Sequence, residues 1–437
     1  MKQLSVGLLG IGTVGGGTYA VLTRNAAEIT RRTGVAINVV QIADRSVEHA
    51  KTLTGGNVDV TNDAFAVVNN PAVDVVVELI GGYTLSKQLV LKAIENGKHV
   101  VTANKALLAL HGNEIFAAAQ KAGVIVAFEA AVAGGIPIIK ALREGLGANK
   151  IEWVAGIING TTNFILTEMR EKGLRYDDVI AEAQRLGYAE ADPTFDVEGI
   201  DAAHKLTIMS AIAFGMPMKF EQAYTEGITK LQQTDIQYAE ELGYRIKLLG
   251  ITKRTEAGVE LRVHPTLISE KRLVANVNGA MNAVVVKGDA VGPTLYYGAG
   301  AGAEPTASAV VADLMDVARL QNASVEQRVP YLAFQPNSVA DLAVLPISEI
   351  NSAYYLRLRA NDKPGVLAGV TKILADKNIS IDAMLQKEPA DNETEADIVI
   401  LTHITQEKNM DAAITAIEAL PAIVGNLVKI RMEELGK

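Results

Sequence analysis

A mainly apolar run that ends in a glycine-rich turn and continues as a helical pattern constrains the N-terminal fold most strongly. The run covers residues 4–9, and the helical pattern extends from about residue 13 to residue 32. In such a turn the first glycine permits the sharp bend, the second lets a diphosphate approach the main chain, and the third allows close helix packing. The helix N-terminus adds the positive end of its dipole. We therefore expect a dinucleotide to be bound by Gly10, Gly12, Thr13, Val14 and Gly15.

The second predicted strand, residues 37–42, ends in Ala43-Asp44-Arg45. An acid at this position binds a ribose hydroxyl and favours NAD, whereas an arginine can bind a 2′-phosphate and favour NADP. Asp44 and Arg45 offer both contacts, with a slight preference for NADP.

The alternation of strands and helices continues, which predicts a parallel sheet. Strands are expected at residues 73–79, 98–102 and 124–128, with a helix at 86–96. Thr102 and Lys105 follow the carboxyl end of a strand, where ligands lie in open α/β sheets. Lys105 is thus a candidate neighbour of a nicotinamide or a substrate, and a solvated lysine is the equally simple alternative. Two glycines and a proline after Glu129 mark a hinge and a change of domain.

An acidic stretch from Tyr188 to Lys205 carries five carboxylates and one lysine, and it leads into a helix that is apolar nearly all round. Asp201 and Lys205 are four residues apart, so they share one helix face. They form either an ordinary surface pair or part of a site, because a lysine entering an apolar helix needs a partner. The acids do not have the spacing of a calcium loop. An ammonium group of a ligand suits them better than a transition metal.

Two further segments complete the pattern. A glycine-rich run before a helix at residues 306–319 is either a flexible turn or a contact between main chain and ligand, and we favour the contact. Residues 331–350 resemble a linker, and residues 351–437 have the strand and helix order β-α-β-β-α-β of a ferredoxin-like module. This module is either regulatory or a dimerisation element without a ligand.

Composition excludes several classes of protein. The chain of 437 residues is 49% apolar and 21% charged, with a net charge of −9 and no conspicuous cluster of Lys or Arg, which argues against nucleic acid and anionic membranes as main partners. Cysteine is absent, so disulfides and thiol nucleophiles are excluded. We expect no signal peptide and no membrane span, and a cytoplasmic location is consistent with this.

These landmarks together resemble the bacterial homoserine dehydrogenases that carry a C-terminal ACT domain. The most specific part is the stretch from Gly187 to Lys205, followed by Thr102-Ala-Asn-Lys105 and Asn159-Gly-Thr-Thr-Asn. The resemblance implies a Rossmann-type domain at 1–135 with a return segment at about 303–330. It also implies an α+β catalytic and oligomerisation domain with a mixed sheet at 136–302, the linker, and an ACT domain at 351–437.

The resemblance further implies reversible NAD(P)-dependent reduction of aspartate 4-semialdehyde to homoserine, in the biosynthesis of threonine, methionine and isoleucine. Lys205 would be the acid-base residue and Lys105 its partner. Glu190 and Asp201, with Asp196 as a weaker member, would hold the substrate ammonium. Gly187 and Gly302 would line the cofactor. A sodium site would be formed by Glu129, Val132, Gly134 and Ile136. An amino-acid effector, threonine first, and a homodimer or homotetramer are also implied.

Two other classes of protein compete with this interpretation. An aldehyde-oxidising semialdehyde dehydrogenase needs a cysteine nucleophile, which this chain lacks. A non-catalytic amino-acid sensor on a dinucleotide-binding fold would bind an amino acid without turnover.

Overall fold

The computed structural model describes residues 2–187, 190–387 and 394–436. Tyr188 and Ala189 of the acidic stretch lie outside these described residues. The chain divides into two units: the first comprises Met1–Gly160, Asp201–Ala223 and Ala280–Leu342, and the second comprises Thr161–Ile200, Tyr224–Gly279 and Ala343–Lys437. Within the described ranges, no helix combines the length and the hydrophobicity that a membrane crossing requires.

The helices and strands as far as the hinge alternate. They are β1 (Lys2–Leu9), α1 (Thr13–Arg24), α2 (Ala26–Thr33), β2 (Val35–Ala43), α3 (Val47–Thr54), β3 (Asp59–Thr61), α4 (Ala64–Asn69), β4 (Val75–Glu78), α5 (Thr84–Glu95), β5 (His99–Thr102), α6 (Lys105–Ala122), β6 (Val126–Ala127) and α7 (Ile138–Lys140). A π-helical turn at Ala141–Gly145 follows α7.

The remaining elements are more mixed in order. They are β7 (Ile151–Ile157), α8 (Gly160–Lys172), α9 (Tyr176–Arg185), α10 (Thr194–Val197), α11 (Ile200–Phe214), β8 (Tyr224–Thr225), α12 (Gln233–Glu241), β9 (Tyr244–Arg254), β10 (Val259–Ser269), β11 (Met281–Gly288), β12 (Gly292–Ala299), α13 (Ala303–Leu320), β13 (Asn351–Asn361), α14 (Val366–Asp376), β14 (Ile381–Gln386), β15 (Glu395–Thr402), β16 (Thr405–Gln406), α15 (Glu407–Glu418) and β17 (Ile423–Glu433).

In the first unit, six parallel strands form a sheet in the order β3-β2-β1-β4-β5-β6. This order confirms the predicted Rossmann-type sheet, in which ligands bind at the carboxyl ends of the strands. Helix α13 returns late in the sequence and contributes Val310 and Leu314 to the core of this sheet. It approaches α1 so closely that a side chain at Gly17 would overlap the carbonyl oxygen of Ala303, at 2.6 Å from the added carbon.

The helix expected at residues 13–32 is instead two helices. Helix α1 ends at Arg24 and α2 begins at Ala26, and Asn25 between them has the non-helical angles φ −103° and ψ 14°. Asparagine competes with helix geometry through local hydrogen bonds and favours helix ends, which explains the break.

The rest of the first unit contains nearly all of the buried helix α11 and three strands of a mixed sheet. Strands β12, β11 and β7 pair antiparallel in this order. Every residue of α11 is buried except Ile200 and Lys205, as its apolar sequence predicts. Lys205 is therefore the one polar side chain of α11 that is partly exposed to solvent.

In the second unit, six strands form a mixed sheet in the order β9-β10-β17-β13-β15-β14. From β13 to β17 the main elements follow the predicted β-α-β-β-α-β order, and the short β16 pairs with β13 in addition. Strand β17 is antiparallel to β13 and parallel to β10. The fold class, an α/β protein with a Rossmann-type domain, a mixed sheet and a ferredoxin-like C-terminal module, is thus confirmed.

Candidate functional site

Two lysine ammonium groups meet on one buried carboxylate in the first unit. Lys205 Nζ lies 2.8 Å from Asp201 Oδ2, and Lys105 Nζ lies 3.1 Å from Asp201 Oδ1. Lys205 also donates to the carbonyl oxygen of Ile158, and Asn159 Nδ2 donates to Asp201 Oδ2, both at 2.8 Å. The lysines are separated by 100 positions in sequence, and the carboxylate between them fixes both. The side chain of Lys105 is 34% exposed and that of Lys205 12%, so the cluster can be reached from solvent.

The ends of β4 and β5 position Lys105. Thr102 Oγ1 donates to the fully buried Glu78 at 2.7 Å and accepts the amide of Asn104 at 3.0 Å. Asn104 then caps α6 by accepting the amide of Leu107 at 3.0 Å. Lys105 is the first residue of that helix, so its backbone position is determined by this network.

The electrostatics of the cluster keep Asp201 ionised. Burial alone would raise the pKa of Asp201, but the charges of Lys205 and Lys105 and the hydrogen bonds from Lys205 and Asn159 hold it well below its usual range. Both carboxylate oxygens are thus occupied by protein donors. This geometry favours a positioning role for Asp201 over the contact with a substrate ammonium that the resemblance implied.

His204 lies beside this cluster on α11. Burial lowers the pKa of His204 to about 4, the two lysines add to this effect, and Asp201 opposes it. Its ring packs on Phe220 with centroids 4.3 Å apart. His204 is therefore a neutral packing residue at neutral pH rather than a competing proton donor.

The glycine-rich turn has the shape that a diphosphate requires. Gly10 has a positive φ of +88°, and a side chain at Gly15 would overlap the carbonyl oxygen of Gly10. A carbon added at Gly12 meets nothing within 4 Å, although Gly12 is the N-cap of α1. Open space directly before a twelve-residue helix fits an anionic group, so these residues suit a dinucleotide. Thr13 and Val14 form the first turn of the same helix.

The two residues that bear on coenzyme choice have different surroundings. Asp44 accepts the amide of Ile11 at 2.9 Å and that of Ser46 at 2.8 Å, so its carboxylate braces the glycine turn. Arg45 is exposed at the end of β2.

Other predicted site residues belong to the second unit, namely Gly187, Glu190 and Asp196. Gly187 has a φ of +77°, as a glycine after a helix often does. Glu190 is exposed, and its carbonyl oxygen accepts from Gln184 at 3.0 Å. Gly302, in the first unit, has a φ of +117° and is the N-cap of α13.

The predicted sodium-binding turn adopts an unusual backbone conformation. Ala133 and Gly134 have positive φ angles of 54° and 40°. The carboxylate of Glu129 accepts the amides of Ile139 at 2.9 Å and Lys140 at 2.8 Å, so it caps α7. The resemblance implies mainly main-chain oxygens of Glu129, Val132, Gly134 and Ile136 as ligands of an ion here, and two amides already engage the Glu129 carboxylate. Within the described ranges, no group of three or more His, Cys, Asp or Glu side chains could hold a metal.

Sequence reasoning missed three residues of the site. Asn104 and Asn159 were noted only within motifs and were given no role, and Glu78 was not considered. Glu78 had a signal, because it is an acid that follows three valines near the carboxyl end of the predicted strand at residues 73–79. The contact of Asn159 with Asp201 joins residues that are 42 positions apart and had no such signal.

Comparisons with known proteins cover nearly the whole chain. The profile of the family described as "Homoserine dehydrogenase" matches residues 137–315, and that of "Homoserine dehydrogenase, NAD binding domain" matches residues 10–129. The ACT domain profile matches residues 354–422.

Relatives are similar over their full length. The homoserine dehydrogenase of Pseudomonas aeruginosa is 63% identical over 435 residues, which covers 100% of both chains. The crystal structure of a homoserine dehydrogenase from Thiobacillus denitrificans has a TM-score of 0.95 and 67% identity, and covers 100% of this chain and 99% of its own. A hyperthermophilic archaeal homoserine dehydrogenase in complex with NADPH is 28% identical with a TM-score of 0.63, and covers 74% of this chain and 99% of its own.

Proposed function

The chain belongs to the homoserine dehydrogenase family and is an NAD(P)-dependent oxidoreductase with a C-terminal ACT domain, and we propose that Lys205 is its acid-base residue with Lys105 as partner. The enzyme interconverts aspartate 4-semialdehyde and homoserine, so the alternative of a non-catalytic sensor is set aside. The observation that carries the proposal is the convergence of both ammonium groups on Asp201.

A bound nicotinamide coenzyme supplies or accepts the hydride. In the reducing direction, negative charge develops on the aldehyde oxygen, and two ammonium groups stabilise it. Lys205 then gives a proton to this oxygen, and in the oxidising direction it takes the proton back. Asp201 holds both ammonium groups close together, and the carbonyl of Ile158 fixes the direction of Lys205.

The substitution Lys205→Ala tests this role. We expect turnover to fall by roughly 100-fold or more, because a positioned proton donor contributes this much. Coenzyme affinity should stay nearly unchanged, as measured by quenching of nicotinamide fluorescence. Lys51→Ala, an exposed lysine on α3, is the matched control and should retain full turnover. Turnover within a few-fold of the parent in Lys205→Ala would remove the proton-transfer assignment.

We further infer that carboxylates of the acidic stretch hold the substrate ammonium. Glu190 is exposed and Asp196 half-buried, and both lie in the acidic stretch after Gly187, which we assign to the lining of the cofactor and substrate site together with Gly302. Glu190→Gln should raise the KM for homoserine much more than it lowers kcat, since a ground-state contact is lost. An unchanged KM would exclude this contact.

We propose NADP as the preferred coenzyme. The support is that Asp44 is engaged by the amides of Ile11 and Ser46, whereas Arg45 is exposed. Thr102 and Lys105 would lie at the nicotinamide end. Arg45→Gln should weaken NADPH binding about tenfold and leave NADH binding unchanged, because only the 2′-phosphate contact is removed.

We also propose that main-chain oxygens of Glu129, Val132, Gly134 and Ile136 hold a sodium ion that orders the hinge. The turn with positive φ angles supports this, because it directs main-chain groups into an unusual arrangement. Replacing NaCl by tetramethylammonium chloride at equal ionic strength should lower the melting temperature. An unchanged melting temperature would exclude a bound ion of this kind.

The ACT domain implies an amino-acid effector, and we propose that it is threonine. A cavity of about 440 Å³ in this module supports an effector site. The turn before α14 forms part of its wall, and Asp362 lies in this turn. Asp362→Asn should weaken threonine inhibition, and Asp376→Asn, an exposed acid at the far end of the same helix, should not. We also propose that the protein is cytoplasmic and forms a homodimer or homotetramer. Light scattering coupled to size-exclusion chromatography would distinguish the two oligomeric states.

A further inference from the structure

A buried carboxylate without a counter-ion lies at the base of the network that positions Lys105. Glu78, the last residue of β4, is fully buried. Among the described residues, no lysine, arginine or histidine forms an ion pair with it, and its hydrogen-bond donors are neutral groups. Burial raises the pKa of Glu78, and these hydrogen bonds oppose the shift. Burial of an unpaired acid is unfavourable unless hydrogen bonds compensate for it, so the groups that donate to Glu78 indicate its role.

One carboxylate oxygen of Glu78 holds the glycine turn that follows β4. This oxygen, Oε1, accepts the amides of Ile80 at 3.1 Å and Gly81 at 3.2 Å. The hydroxyl of Ser86 is shared between the same oxygen at 3.1 Å and the carbonyl oxygen of Gly81 at 2.8 Å. The turn lies beside the predicted coenzyme turn, because a carbon added at Gly10 would be 3.0 Å from the side chain of Ile80.

The other carboxylate oxygen, Oε2, acts on the start of α6. It accepts from the hydroxyl of Thr102 at 2.7 Å, and that hydroxyl oxygen accepts the amide of Asn104 at 3.0 Å. The side chain of Asn104 returns to the glycine turn, where it donates to the carbonyl oxygen of Gly82 at 2.5 Å. These contacts close a ring of hydrogen bonds that joins the ends of β4 and β5 to the first turn of α6.

Lys105 moves with this ring, because it is the first residue of α6 and directly follows Asn104. Its ammonium lies 3.1 Å from Asp201 Oδ1, so a shift of the helix start changes the place of the ammonium in the cluster. A displacement of about 1 Å can lower a rate by about 100-fold. Given the role proposed above for Lys105, we propose that Glu78 is a positioning residue of the reaction, which acts on turnover only through the place of Lys105.

The substitution Glu78→Gln separates the two oxygens. The amide keeps one acceptor, which suits the side with three donors, so the glycine turn stays in place. Its NH₂ group then faces Thr102, whose hydroxyl loses its acceptor, and the start of α6 is released. We expect kcat for homoserine oxidation to fall about tenfold. Coenzyme affinity, measured by quenching of nicotinamide fluorescence, should stay nearly unchanged.

Ser86→Ala is the matched control. It removes a hydroxyl donor from the same carboxylate at an equally buried position, and it leaves the branch through Thr102 intact. Both variants lose a hydrogen bond in the interior, so both should lower the melting temperature, but Ser86→Ala should keep the kcat of the parent. An equal loss of kcat in the two variants would indicate a general structural effect and overturn the proposal.

A double-mutant cycle with Lys105→Ala tests whether Glu78 acts through Lys105. Lys105→Ala alone should lower kcat at least as much as Glu78→Gln does. Glu78→Gln should then have no further effect, so the double variant should have the kcat of Lys105→Ala, because the two residues act as one unit. A further loss of about tenfold in the double variant would overturn the proposal.

The role of Glu78 and the proposed function can fail separately. Full turnover in Glu78→Gln, together with a loss in Lys105→Ala, would overturn the role of Glu78 alone. Full turnover in Lys105→Ala would overturn both. Thr102→Val is the second variant in case Glu78→Gln unfolds, because valine has the shape of threonine and lacks the hydroxyl that connects Glu78 to Asn104. It should show the same loss of kcat and the same cycle with Lys105→Ala, and full turnover in this variant would overturn the proposal.

Discussion

The substitution Asp201→Asn separates two roles that this residue can have. The amide has the shape of the carboxylate but only one acceptor oxygen. If that oxygen stays with Lys205 and Asn159, the NH₂ group faces Lys105, whose nitrogen is 3.1 Å from the atom it replaces. A donor then opposes an ammonium, and Lys105 must move away.

The size of the effect follows from these contacts. A hydrogen bond to a charged group contributes about 1.5–3 kcal/mol. The substitution removes the bond from Lys105 and leaves the bond from Lys205 with a neutral acceptor. A loss of about 3 kcal/mol in the transition state corresponds to roughly 150-fold in rate at 1.36 kcal/mol per tenfold. We expect this loss in kcat, because the lysines act on charge that develops during the reaction.

The assay is homoserine oxidation followed by the near-ultraviolet absorbance of the reduced coenzyme, with kcat and KM determined separately. Asp192→Asn, which changes an exposed acid in the same stretch, is the control and should stay within a few-fold of the parent. A large rise in KM with an unchanged kcat in Asp201→Asn would refute the positioning role and restore the contact with the substrate ammonium.

Three other predictions concern the coenzyme turn, the ACT module and pH. Gly12→Ala should fold normally, because the added carbon meets open space, and it should weaken coenzyme binding about tenfold in a fluorescence titration. Gly15→Ala should also lower the melting temperature, because its added carbon overlaps the main chain of the turn. Glu407→Gln should lower the free energy of unfolding by about 2–3 kcal/mol in urea denaturation, because the buried Arg431 loses the charge of one carboxylate partner and keeps that of Glu226. Burial lowers the pKa of Lys247 from 10.5 to about 7, so this lysine by itself makes stability decrease as the pH falls from 10.5 toward 7, and Lys247→Met should remove that part of the slope in melting curves recorded across this range. Equal slopes in parent and variant would contradict the last prediction.

The local patterns of the sequence predicted those parts of the fold that depend on neighbours in the chain. The glycine turn, the strand before Lys105 and the i, i+4 pair of Asp201 and Lys205 all rest on contacts within a few residues. The contact between Lys105 and Asp201 joins elements that are 96 positions apart and required the tertiary structure. The occupation of both Asp201 oxygens was equally hidden, because Asn159 contacts it from another element.

Strand β9 shows why some elements escape sequence patterns. The pattern predicted no strand at Tyr244–Arg254, where Lys247 interrupts an otherwise apolar run. In the fold, Lys247 is buried, and its ammonium donates to the carbonyl oxygen of Val277 at 2.6 Å and to Asn163 at 3.1 Å. These acceptors come from distant segments of the chain. A lysine whose polarity suggests a loop in the sequence is therefore part of the interior.

The parallel pairing of β17 with β10 limits how the regulatory module can be manipulated. Thr266, Leu267 and Ile268 of β10 pair with Arg431, Met432 and Glu433 near the end of the chain. Truncation after residue 350 would strip a strand from β10 and leave its amide and carbonyl groups open to self-association. The module therefore cannot be exchanged between homologues as an independent cassette, and chimeras should keep both strands from a single parent.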